Sequence, residues 1–127
     1  MDDLIAFLRA RLDEREHIAR AAAEETETRW HAGHEHLNEG VSGADGSPVA
    51  YGPYEGVLSW EIRQHIAAND PGTVLADVNV KRRIIEVHQG LHSCGFWEHD
   101  DDDPCPTLCL LALPFAGHPD YRQEWRP

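Results

Sequence analysis

Positive charge is the scarcest commodity in this chain of 127 residues. Eleven lysines and arginines stand against 23 aspartates and glutamates, for a formal net charge of −12. A chain so acidic is repelled by nucleic-acid phosphates and by anionic lipid headgroups, so neither direct nucleic-acid binding nor a membrane surface is expected. Long apolar runs are missing as well: the longest, Leu108 to Leu113, falls far short of the roughly 20 residues that a spanning helix needs. The start, Met1-Asp2-Asp3, has neither the basic stretch nor the apolar segment of a secretory signal. Cysteines number only three, an odd count that speaks against a disulfide framework. Together these features point to a cytoplasmic protein. Catalytic signatures are equally thin. There is no Gly-x-Ser-x-Gly elbow, no glycine-rich loop placed between a strand and a helix, and no pair of histidines four apart with an adjacent glutamate.

What remains is the pattern of a small, mainly α domain with one short β-hairpin, a single domain over residues 1–127. Leu4, Leu8, Leu12 and Ala19 recur at helical spacing, and Asp2 and Asp3 suit the positive end of a helix dipole, so a long amphipathic helix is expected over 3–28. Periodicity vanishes over 30–57, where Asp45-Gly46 followed by alternating Val49 and Tyr51 predicts a hairpin around 39–52. Ser59 is placed to cap a short helix over 59–67 that directs Trp60 and Ile66 inward. Asn69-Asp70-Pro71 breaks the chain and restarts it as a helix over 71–88, with Val74, Leu75, Val78 and Ile85 on its apolar face. Lys81-Arg82-Arg83, the one basic cluster, reads as a solvated face or as a contact for an anion or partner. A loop over 91–104 carries the acidic run Asp100–Asp103, and Pro104-Cys105-Pro106 opens a C-terminal helix and tail over 105–125. Tyr121 and Trp125, four apart, would share a face and fasten the tail.

The sharpest chemical signal lies in that last third. All three cysteines, Cys94, Cys105 and Cys109, fall within one short stretch that also holds His88, His92 and His99. Thiolate and imidazole together suit a tetrahedral zinc site better than any other chemistry. The best set is His88, Cys94, His99 and Cys105, which places ligands at the ends and middle of the loop between two helices. His92 and Cys109 are the substitutes, and Cys109 is equally a small buried apolar residue. Cys94-Gly95 resembles the second half of a zinc knuckle, but Leu91 stands where the first cysteine would be. Such a metal would be structural, because the segment holds few apolar residues to fold it otherwise. A second cluster, His31, His34, Glu35 and His36, reads as surface histidines in a loop; the aspartate run lacks the alternation and glycine of a calcium loop.

Several stretches carry a resemblance. Asp70-Pro71, Val74-Leu75, Val78, Lys81-Arg82-Arg83-Ile84-Ile85 and His88 resemble the centre of a family of small proteins common in actinobacteria and their phages. Cys105-Pro106-Thr107-Leu108, His118-Pro119-Asp120-Tyr121-Arg122 and the closing Glu124-Trp125-Arg126-Pro127 are similar to its C-terminal end, and Asp3-Leu4 through Ala22 to its start. That family is a domain of unknown function and lends no activity. The resemblance implies a ligand role for His88, Cys94 and Cys105, and an actinobacterial or phage origin.

The leading functional expectation is therefore a zinc-stabilised, non-enzymatic interaction domain that regulates a host or phage protein, its acidic surface either favouring a basic partner or simply keeping the protein soluble. The alternatives are an acidic mimic of nucleic acid that blocks a basic binding groove, and a metal-dependent hydrolase using the histidines at 31–36 or an open position at the 88–105 site.

Overall fold

A computed structural model describes residues 1–34, 40–52, 58–94, 97–99 and 104–127, with the side chains of 97–99 outside the description. Four α-helices dominate: α1 (Asp2–Thr26), α2 (Trp60–Ala68), α3 (Pro71–Val87) and α4 (Pro106–Ala112). Five short strands complete the description. β1 (Trp30–His31), β2 (Val41–Gly43) and β3 (Pro48–Ala50) form an antiparallel sheet in that order, and β4 (His92–Cys94) pairs with β5 (Trp97–His99). The protein is thus mainly α with a long N-terminal helix and short hairpins. No helix among the described residues is long and apolar enough to cross a membrane. The chain divides into two compact units, Arg15–Asp77 and Met1–Glu14 with Val78–Pro127, and the divisions fall inside α1 and α3.

In the unit Arg15–Asp77, β2 and β3 are joined by the Asp45-Gly46 turn. The Asp45 carboxylate accepts from the Ser47 amide and hydroxyl, at 3.0 and 2.6 Å, which holds it below the usual carboxylate range, with the hydroxyl contributing most. Gly46 takes a φ of 84°, a left-handed conformation that a side chain would strain. Ser59 caps α2 through the Ile62 amide, as its placement predicts. The inward-facing residue of α2 is different from the expectation. Trp60 and Ile66 are only half-buried, and Arg63 is 2% exposed. Its guanidinium donates to the Ala32 and His34 carbonyls at 2.8 and 3.1 Å and lies 5.2 Å from the Trp60 ring centre. Backbone carbonyls left over where β1 ends are what α2 buries, and only a long forked donor reaches two of them.

Asp70 joins α3 to β1. One carboxylate oxygen accepts from the Thr73 amide at 2.8 Å, as an N-cap does, and the other from the Trp30 amide at 3.2 Å. Burial raises the Asp70 carboxyl, but these amides, with the Thr73 side chain and the Arg29 charge, outweigh it and hold the group below its ordinary 3.8. A depressed value in the folded state means that stability present above pH 4 is lost as acid protonates Asp70. Replacing Asp70 by Ala leaves two amides without their acceptor and should cost about 2 kcal/mol. Urea unfolding at pH 7 measures that cost. Between pH 5 and 3 the variant should lose less stability than the wild type; equal acid slopes would remove the linkage from Asp70.

The other unit, Met1–Glu14 with Val78–Pro127, has an aromatic core. Leu4, Leu8 and Leu12 of α1 are at most 1% exposed, as are Val78, Ile85 and Leu108. Phe7 meets Trp125 at 5.1 Å between ring centres and Tyr121 at 6.0 Å, so the tail is fastened by the two residues whose spacing predicts it. In the basic cluster, Arg82 pairs with Asp13 at 2.6 Å and Arg83 with Glu86 at 3.8 Å, contacts worth little at this exposure. The 91–104 stretch departs from a plain loop. His92 pairs with His99, Ser93 with Glu98 and Cys94 with Trp97, a hairpin of three-residue strands too short to show a period of two.

Candidate metal centre

Three elements deliver the site. α3 ends at Val87, and Gly90, at a φ of 64°, makes the left-handed turn between the helix and β4. His88 follows the last helical residue directly. Cys94 ends β4. Cys105 occupies the N-cap of α4, extended at φ −65° and ψ 123°, with Pro106 opening the helix behind it. These placements bring the ligand atoms of His88, Cys94 and Cys105 within 4.8 Å of one another, a group that can hold a metal ion. The two sulfurs stand 3.7 Å apart.

The histidines are prepared in the same way. His88 Nδ1 lies 2.7 Å from the Ile84 carbonyl, and His92 Nδ1 lies 2.8 Å from the Gly90 carbonyl. A carbonyl only accepts, so each Nδ1 carries the proton and donates it. An imidazole so held presents Nε2 as the nitrogen able to bind a metal, with the backbone carbonyl as its outer partner. The rings meet edge to face at 5.2 Å, and His92 Nε2 is 3.3 Å from Cys105 Sγ.

The sulfurs are not equivalent. Cys94 is half-buried, and the Thr107 hydroxyl, 2.7 Å away, is the main cause of its lowered thiol value, against a smaller cost of burial. Cys105 is fully buried, and burial pushes its thiol up; the same burial, with the charge of Cys105, raises Cys109. A cation between the sulfurs would supply the charge that burial withholds, which is how a buried thiol becomes a thiolate ligand.

Of the residues expected from the sequence, His88, Cys94 and Cys105 are brought together. The side chain of His99 lies outside the described residues, as do Glu35, His36 and the acidic run 100–103. Of the two substitutes, Cys109 is buried one turn along α4, as the apolar alternative has it, and both it and His92 stand outside the group. Among the described residues, neither His31 nor His34 belongs to a metal-binding group. Thr107 is the functional residue that sequence reasoning missed. Its signal is its position two residues after Cys105, in the first turn of a proline-started helix, where a hydroxyl can reach a sulfur on a neighbouring strand.

A small, mainly helical protein carrying a histidine–cysteine group able to hold a metal is the class that fold and site define. The chain belongs to a family of unknown function (DUF6221), whose model matches residues 1–127. No curated protein and no solved structure matches it.

Proposed function

We propose that this protein is an acidic interaction domain whose C-terminal segment is held by one structural zinc ion, with His88, His92, Cys94 and Cys105 as ligands. The observation that carries the reading is the convergence of the His88, Cys94 and Cys105 ligand atoms within 4.8 Å of one another, with the two sulfurs 3.7 Å apart. Tetrahedral zinc with bonds of about 2.3 Å to sulfur and 2.0 Å to nitrogen sets two sulfurs roughly 3.8 Å apart, and a sulfur and a nitrogen roughly 3.5 Å apart. The 3.7 Å between the thiols and the 3.3 Å from His92 Nε2 to Cys105 Sγ match those spacings, while His92 stands outside the group of His88, Cys94 and Cys105 and has to swing in to complete the set. His92 is preferred to His99 on this distance. With His92 in place the metal has four protein ligands and no position for water, which favours a structural over a hydrolytic role.

The net charge of −12 supports a basic protein surface as the partner. The resemblance to small proteins of actinobacteria and their phages supports a regulatory role on a host or phage protein. Elemental analysis of protein purified without a histidine tag is the direct test. One zinc per chain is expected, retained by His99→Ala and lost on dialysis by His92→Ala. The reverse pattern would move the fourth ligand to His99, and a chain free of metal would end the zinc reading. Binding to a basic partner should weaken steeply as salt rises.

A further inference from the structure

We infer that Cys94 and Cys105 form an oxidisable dithiol, a modification site at which a peroxide closes an intramolecular disulfide and so dismantles the metal centre; the release of metal, though not the sulfur chemistry, rests on the zinc reading above.

The inference stands on the geometry of the pair. The sulfurs are 3.7 Å apart on two different elements, the end of β4 and the N-cap of α4. A disulfide needs about 2.05 Å, so a closure of roughly 1.7 Å, within reach of side-chain rotation at the end of a three-residue strand, completes the bond. The two cysteines also differ in access. Cys94 is half-buried and meets solvent, with the Thr107 hydroxyl 2.7 Å from its sulfur. Cys105 has no exposure at all, so an oxidant reaches it only through its neighbour. That is the division of labour between an attacking and a resolving thiol.

The chemistry balances. The Cys94 thiolate attacks one oxygen of hydrogen peroxide. The S–O bond forms, the O–O bond breaks, and the departing hydroxide leaves as water with the proton Cys94 gave up. The Cys105 sulfur then attacks the sulfenic sulfur of Cys94. The S–S bond forms, the S–O bond breaks, and the second hydroxide takes the Cys105 proton to leave as water. Two electrons pass from the sulfurs to the peroxide. The disulfide has no thiolate to offer a cation, so the two imidazoles alone remain and the ion departs.

The test treats the full chain, zinc-loaded and separately stripped by chelator under reducing conditions, with stoichiometric hydrogen peroxide. Intact mass, peptide mapping and a colorimetric zinc indicator are read together. The expected result is the loss of two hydrogens, a single Cys94–Cys105 linkage, Cys109 still reduced, and one zinc released per disulfide, all reversed by a thiol reductant. Cys109→Ser should behave as the wild type. Cys94→Ser should form no disulfide, and in case that variant folds poorly, Cys105→Ser, which keeps the exposed sulfur, should stop at a sulfenic acid on Cys94 that dimedone traps, with no linkage formed. A linkage to Cys109, a disulfide between two chains, or a sulfinic acid on Cys94 in its place would overturn the inference. So would both thiols surviving excess peroxide. A protein that never holds zinc but closes the Cys94–Cys105 bond would end the zinc reading and leave the dithiol standing.

Discussion

Replacing Cys105 by Ser should strip the protein of the zinc proposed above and lower its thermal midpoint by roughly 15 °C. The number follows from linkage. A ligand present at a thousandfold its dissociation constant, and bound only by the folded chain, stabilises by about 4 kcal/mol. For a chain of this length each kcal/mol is worth about 4 °C. Cys105 is the proposed ligand to choose because it is fully buried and stands at the N-cap of α4, so its sulfur touches the hairpin while its backbone begins a helix. A serine there keeps the shape but makes a poor zinc ligand. Treating the wild type with a strong chelator should reproduce most of the shift, and the same chelator should leave the variant unmoved. Cys109→Ser provides the contrast: it alters a buried residue outside the group, so it should keep its zinc and lose only about 1 kcal/mol. If Cys105→Ser and Cys109→Ser prove equally stable and equally loaded, the sulfur at 105 is a packing residue.

Phe7→Ala should be the most damaging change away from the metal, at about 4 kcal/mol. Phe7 is 7% exposed, and its ring is surrounded. Trp125 stands 5.1 Å away between centres, His118 5.8 Å, Tyr121 6.0 Å and Phe115 6.3 Å, with the Arg11 guanidinium 5.2 Å from the ring centre. Four of those five neighbours come from the last fifteen residues, whose described structure is two short 3-10 turns, Leu113–Phe115 and Gln123–Trp125. Turns so short have little stability of their own, so the tail is held by what it packs against. Removing one ring therefore opens a cavity and loosens a whole segment. Thermal unfolding should show the loss, Trp125 fluorescence should shift to the red, and trypsin should gain access to Arg122. Phe7→Leu should cost about 1.5 kcal/mol and leave Arg122 protected, because a leucine refills most of the volume. Equal protease sensitivity in both variants would show that the tail is held by something other than this ring.

Much of this was legible from residues alone where local chemistry decides local structure. Asp2 and Asp3 at the start of a leucine stripe, Ser59 before α2, Asp70-Pro71 before α3 and Cys105-Pro106 before α4 each mark a helix start, because a capping group and a fixed φ act within one turn. Asp45-Gly46 marks the β2–β3 turn for the same reason. The hairpin of β4 and β5 was not legible, since three residues per strand cannot display an alternation. Nor was Arg63. A buried arginine is called for by carbonyls at Ala32 and His34, some thirty positions earlier in the chain, and no local pattern announces them.

The metal centre divides along the same line. Spacing alone determined that sulfur and imidazole gather in the last third of the chain, because ligand type is a property of single residues. Which sulfurs approach, which histidine nitrogen keeps its lone pair, and that Thr107 rather than a charge attends Cys94 were decided by the tertiary structure. Those choices depend on distances of a few ångströms between the end of α3, one strand of a hairpin and the cap of α4, and a linear pattern carries no such distances.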